Sequence, residues 1–199
     1  DSGTAEETNK ASLHLAGLSS EQKFALEELA APALMHLSQG QYAMFRSSLD
    51  YLAAADERLN LFEWSLHKII DHDLGKHYSP VRQAHGRGSV KQLRPDCLLI
   101  LAALSHHGQD GANPAPSFQA GLSALSPRID ARMPESSECG VAELSESLNR
   151  LVKLKPAAKH SFLEACSITI AHDGRATDVE VQILRGVAAG LSCPLPPAI

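Results

Sequence analysis

Apolar residues recur at helical spacing in two stretches of the chain, 44–74 and 161–191. Each stretch contains an apolar stripe, a short polar break and a second apolar stripe. Steps of three and four residues place side chains on one face of an α-helix. The alternating pattern of a half-buried strand is nearly absent from the chain. The spacing therefore predicts an all-α protein that contains two similar helical hairpins.

The two hairpins also align with each other when the sequence is shifted by 117 residues, which matches 44–70 with 161–187. The identical pairs are Phe45 and Phe162, Ala54 and Ala171, Asp56 and Asp173, Arg58 and Arg175, and Glu63 and Glu180. A hairpin of this length cannot bury its apolar stripe alone. We therefore expect the hairpins to pack on each other in a compact bundle of about seven to eight helices, with an approximate twofold relation.

Boundary residues predict where the helices begin and end. Ser19 and Ser38 are each followed three residues later by Gln, which fits a capping box. Pro32 should break or kink the first helix, because proline lacks the backbone N–H. Gly75 is predicted to end the helix of the first hairpin. Further helices are predicted from Pro95 to about His107, over 116–125, over 139–154 and from Pro156. A last helix is predicted to face inward through Val179, Ile183, Leu184, Val187 and Leu191.

Two segments are predicted to lie outside the helices. Residues 1–17 are polar and without periodicity, which favours a flexible leader, and the start at Asp1 suggests a fragment of a longer protein. Residues 76–94 are basic and contain Pro and two Gly, which predicts a long connecting loop with a mobile or functional role. The remaining residues, 18–199, are predicted to form one helical domain.

The polar break of each hairpin allows two interpretations. Asn60 with Glu63, and Thr177 with Glu180, have capping-box spacing, so the acids would serve to begin helices. Alternatively, Asp56, Glu63, Asp173 and Glu180 would together form a weak site for a divalent cation, because carboxylate oxygens suit calcium or magnesium. The break is too short for an EF-hand and lacks its alternating acids.

Composition narrows the classes of partner. The net charge is −5 and the pI is near 6.0, so no basic excess favours nucleic acid. The apolar run over 97–104 is too short to span a bilayer. The four cysteines lack metal-knuckle or redox spacing, which favours free thiols in a reducing compartment. His72 and His77, beside Asp71 and Asp73, form a weak transition-metal candidate. Five further histidines are predicted at the surface: His14, His36, His67, His85 and His160.

The polar breaks carry a family resemblance. The segment "AHDGRATDVE" at 171–180, and more loosely "AADERLNLFE" at 54–63, resembles the acidic turn of the TerB-like (tellurite-resistance B) helical domain. Three further segments, "LEELAAPALMHLS", "LAALSHHG" and "VQILRGVAAGLSCPLPP", extend the similarity over roughly residues 18 to 197. With these segments the chain resembles the C-terminal part of bacterial integral-membrane zinc metallopeptidases of the CAAX-prenyl-protease type.

The resemblance implies a role, whereas the residues alone do not. Such peptidases cleave with an H-E-x-x-H zinc helix, which this chain lacks. The resemblance therefore implies a non-catalytic, soluble regulatory or interaction domain that binds a protein partner or the peptidase domain of its own longer chain. Zinc would belong to that peptidase domain. The parent protein would lie in the bacterial inner membrane, with this domain in the cytoplasm. A divalent-cation sensor is the alternative, and an unrecognised hydrolase is a third hypothesis.

Overall fold

A computed structural model describes residues 2–55, 61–78, 86–107, 113–126 and 131–194. Within these ranges the chain is helical and contains no strand, which confirms the all-α prediction. The helices are α1 (Ser2–Leu15), α2 (Ser20–Leu34), α3 (Gln39–Ala55), α4 (Leu61–Tyr78), α5 (Arg94–His107), α6 (Ala115–Leu125), α7 (Val141–Leu151), α8 (Pro156–Ile170) and α9 (Asp178–Gly190), with a 3-10 turn at Ser136–Glu138.

Helix α5 is the centre of the bundle. Every residue from Ile100 to Ser105 is buried, so the helix is covered on all sides. Its neighbours are α6, α7, α8 and α9. Each presents an apolar stripe to the core, as α7 does through Leu144, Leu148 and Leu151. The core is therefore built mainly from the C-terminal half of the chain, with Trp64 of α4 added to it.

The two predicted hairpins are in contact, but mainly through their second helices. Helices α4 and α9 form the most extensive pairing in the described part of the molecule. They approach closely because Gly186 has no side chain: a Cβ there would lie 2.9 Å from Cα of Ser65. Helix α8 instead packs against α5 and α6, and α3 packs against α4. The expected face-to-face packing thus holds for one helix of each hairpin.

Tertiary contacts move two predicted boundaries. Pro32 lies in the last turn of α2, so the helix continues to Leu34 instead of breaking at the proline. The predicted end of α4 at Gly75 is wrong, since the helix runs to Tyr78. The Tyr78 ring stacks on Tyr42 with centroids 4.1 Å apart, and its hydroxyl donates to the carbonyl of Leu34 at 2.6 Å. These contacts hold the last turn of α4.

The segments expected to be irregular are partly ordered. Residues 1–17, predicted as a flexible leader, contain the helix α1. Its described side chains are exposed, and because the segment has no apolar stripe, the sequence pattern did not predict this helix. Of the predicted loop 76–94, residues 79–85 lie outside the described ranges. The rest of that loop is anchored: Gly88 donates to the carbonyl of Lys153 at 2.8 Å, and Lys155 donates to that of Gly88 at 3.0 Å.

Two surface predictions need correction. Val179, predicted to face inward, is 39% exposed because it lies in the first turn of α9, whereas Ile183, Leu184, Val187 and Leu191 are buried as predicted. His67, predicted at the surface, is half-buried. Its Nε2 lies 3.3 Å from Asp50 and its Nδ1 lies 3.4 Å from Asp71.

Candidate functional site

The polar break of the second hairpin forms the predicted capping box. The Glu180 carboxylate accepts from the backbone N–H and the hydroxyl of Thr177, both at 2.8 Å. In return the Glu180 N–H donates to the Thr177 hydroxyl at 3.3 Å. Gly174 has a φ of +77°, the left-handed conformation that glycine adopts without a Cβ penalty. These contacts end α8 and begin α9.

The acids of this break have different environments. Glu180 is buried, and burial raises the pKa of its carboxyl, while its bonds from Thr177 lower it and the nearby Asp173 raises it further. Asp173 is exposed and accepts from the backbone N–H of Arg175 at 3.0 Å. One carboxylate oxygen of Glu180 thus accepts both bonds that stabilise the start of its own helix.

Three residues of the predicted four-carboxylate site, Glu63, Asp173 and Glu180, lie in the described part of the chain. Asp56, together with Arg58 and Asn60, lies outside the described residues. Glu63 is exposed in the first turn of α4. Across the described part of the chain, no group of three or more His, Cys, Asp or Glu side chains is arranged to hold a metal ion. The divalent-cation site at these acids stays a prediction, as does the transition-metal candidate at His72 and His77.

A charged cleft that sequence reasoning missed lies between α2, α4 and α9. Its volume is about 190 Å³. Polar groups from three helices line it: Glu27 and Glu28 from α2, His72 and Asp73 from α4, and Arg185 from α9. Arg185 donates to the Glu28 carboxylate at 2.9 Å. The cleft therefore contains one ion pair, between Arg185 and Glu28, and two further carboxylates, those of Glu27 and Asp73.

The environment of the cleft raises the pKa of Glu27 and lowers the pKa of His72. Burial, followed by the charges of Asp73 and Glu28, raises the pKa of Glu27 to about 7, against a smaller lowering by Arg185. Burial and the charge of Lys76 lower the pKa of His72, while Asp73 raises it. A carboxyl with a pKa near 7 exchanges its proton near neutral pH.

A second cavity shares His72 and Ala189 with the lining of the first. Its volume is about 210 Å³, and Lys68, Asp71, Asn149 and Ser192 contribute polar groups to its lining. Asp71 also lies 3.2 Å from the Arg46 guanidinium. Burial lowers the pKa of Lys68, while Asp71 raises it. A row of polar groups thus extends along α4. Arg46 of α3 lies at one end of this row, and Arg185 of α9 lies at the other.

The sequence contained only half of the signal for this cleft. The acidic segment around His72 was visible as "DHDLGKH", and its pattern indicated a weak transition-metal candidate without indicating which helices would face it. Glu27 and Arg185 are 158 residues apart in the sequence. No local pattern can join such positions, because only the packing of α2 on α4 and α9 brings them together.

The thiols offer no reactive group in the core. Cys97, Cys139, Cys166 and Cys193 are free. Burial raises the pKa of Cys97 to about 12 and that of Cys139 to about 11, and it raises the pKa of Cys166 well above its ordinary value. Since the thiolate is the nucleophile, these cysteines act as small apolar core residues.

No protein-family model matches the chain, and comparison with the curated proteins and with the solved structures gives no significant match. Among the helices described, none is both long and apolar enough to cross a membrane.

Proposed function

We propose that this chain is a non-catalytic interaction domain, the soluble C-terminal part of a bacterial membrane-bound zinc metallopeptidase. Its partner would be the peptidase domain of the same longer chain. The chain would carry no cofactor of its own, with zinc confined to the peptidase domain. The resemblance of 171–197 and 54–66 to such proteins supports the choice of partner. The outer surface of α3 is the proposed contact with that partner.

The observation that carries the proposal is the outer face of α3. Met44 and Tyr51 are each 73% exposed. They lie seven residues apart, with exposed Ser48 between them, so all three share one stripe of the helix. On the opposite side of the helix, Tyr42 is buried and stacks on Tyr78 of α4. An exposed stripe of Met and Tyr has the composition of a protein interface, in which both residue types are enriched.

The arrangement of the fold supports the same interpretation. No described residue of α3 belongs to the main apolar core cluster, which is drawn from α4 to α9 and the segments that connect them. Helix α3 is therefore not needed to cover the central apolar residues, and its outer side can be covered by a partner. Leu29 on α2 and Leu13 on α1 add exposed apolar side chains in the same N-terminal third of the chain.

A binding measurement tests the interaction. The separately produced peptidase domain is titrated with this chain by calorimetry. We expect a complex that the double variant M44E/Y51E weakens about tenfold or more, as truncation of central aromatic anchors does. V179E on α9 is the matched control, since it adds a charge at another exposed apolar position. Equal binding by all three proteins, or no binding, would refute the docking face.

The gene itself tests the identity of the partner separately. We expect the reading frame that encodes this chain to contain an H-E-x-x-H helix and membrane-spanning segments upstream. A frame without them would overturn the metallopeptidase assignment. The α3 face would then need a partner other than a peptidase domain.

A further inference from the structure

Helix α2 is attached to the rest of the fold by polar and peripheral contacts. None of its described side chains is buried. Lys23 lies over the Phe62 ring at 5.6 Å, Glu28 pairs with Arg185 at 2.9 Å, and the Leu34 carbonyl accepts from Tyr78 at 2.6 Å. Among the described side chains of α2, little apolar area thus holds the helix in place, so charge in its interface can decide whether it stays docked.

The cleft beneath α2 contains an excess of negative charge. Glu27 and Glu28 come from α2, and Asp73 faces them from α4. The guanidinium of Arg185 on α9 lines the same cleft, and it donates a hydrogen bond to Glu28. His72 is the remaining titratable group of α4 in the cleft, and Lys76 acts on His72. Docking therefore places the Glu27 and Asp73 carboxylates together in a partly enclosed space, which like charges disfavour.

We propose that α2 is a pH-dependent element of the fold, whose docking onto α4 and α9 is linked to proton uptake by the Glu27 carboxyl, which shares the cleft with Asp73. With a proton on Glu27, its repulsion with Asp73 is removed and α2 remains docked. When the proton is lost to solvent, α2 opens more often. The inference stands on the cleft alone and does not depend on the proposed partner.

The direction of the pH dependence follows from the titration of Glu27. Its pKa is about 7 when α2 is docked and 4.5 as the reference value for an exposed glutamate. A raised pKa in the docked state means that stabilisation is complete below 4.5 and is lost as pH rises through about 7. The lowered pKa of His72 acts in the opposite sense, disfavouring docking below its reference value of 6.5. A glutamine variant of Glu27 separates the two contributions.

Hydrogen exchange of the whole chain measures this opening. Amide protection of α2 is followed from pH 5.5 to 8, corrected for intrinsic exchange, with α8 in the same sample as reference. The full pKa difference would correspond to roughly a few-hundred-fold, and because Glu27 is half-exposed we expect about a tenfold loss of α2 protection. The protection of α8 should not follow the same profile.

Three variants decide the outcome. E27Q should remove most of the loss of α2 protection, and D73N should raise protection at pH 8. The control E164Q, an exposed carboxyl on α8, should keep the wild-type profile. A pH-independent α2 in the wild-type protein, or an E27Q profile identical to wild type, would overturn the proposal. Unchanged α8 protection verifies that each variant is folded.

Discussion

The first hairpin, α3 with α4, and the second, α8 with α9, share a sequence pattern but differ in burial. In α8 and α9 most apolar residues of the stripe are buried, whereas Tyr42 is the buried apolar residue among the described side chains of α3. Phe162 is fully buried in α8, and its counterpart Phe45 is half-buried in α3. An apolar stripe at helical spacing therefore identifies a helix face without saying how much will cover it.

Neighbouring elements explain the difference. Helix α8 lies against α5 and α6, and α9 lies against α4, α5, α7 and α8. Helix α3 has α4 as its main neighbour among the described residues. The second hairpin is thus part of the central core, while the first joins it through one helix. We expect the hairpins to contribute unequally to the free energy of unfolding.

The largest expected effect compares the two equivalent phenylalanines. F162A should lower the free energy of unfolding by about 3–5 kcal/mol, because it leaves a cavity in a closely packed core. F45A should cost clearly less, about 1–2 kcal/mol, because solvent and neighbouring side chains can fill the space. Urea unfolding followed by the fluorescence of Trp64, the single tryptophan, measures both. Equal losses would mean that the hairpins are energetically alike.

Much of the fold could be predicted from local patterns, and the errors have a common cause. Helices α5, α6, α8 and α9 lie close to the predicted ranges, because Pro95, Pro156 and the Thr177 box mark their starts. The end of α4 was missed because stacking of Tyr78 on Tyr42 overrides the helix-ending tendency of Gly75. The charged cleft was missed for the same reason, since its residues meet only through tertiary packing.

The next effect tests the surface through which the hairpins meet. G186A should destabilise the protein by about 1–3 kcal/mol, because its new methyl group would meet the backbone of Ser65 and push α4 from α9. G75A in α4 is the matched control, since nothing lies within 4 Å of a Cβ there. Replacing that helical glycine should instead stabilise by about 0.5–1 kcal/mol.

Thermal unfolding of both glycine variants checks this contrast. A loss in G75A as large as that in G186A would show that glycine flexibility matters in both helices, and that the close approach of α4 and α9 does not set the cost. A neutral G186A would show that the two helices can separate without loss. The hairpins would then be joined mainly through their other neighbours.

The smallest expected effect compares the two polar breaks. T177A should lose about 0.5–2 kcal/mol of stability, because it removes the side chain that accepts from the Glu180 N–H. If Asn60 begins α4 in the same way, N60A should cost a similar amount. A much smaller loss for N60A would mean that the repeat preserves sequence at the first break without preserving the cap.

Calcium separates the capping and cation-binding interpretations of the same acids. If Glu180 serves the helix start, its carboxylate is already an acceptor for two Thr177 donors, and T177A should lose the same stability with a chelator as with millimolar calcium. If Asp56, Glu63, Asp173 and Glu180 bind a cation, calcium should raise the unfolding temperature by mass action. D173N should then abolish that rise, although Asp173 takes no part in the capping box. A calcium-dependent stabilisation lost in D173N would thus support the cation sensor, and would make the two breaks parts of one site instead of two independent helix starts.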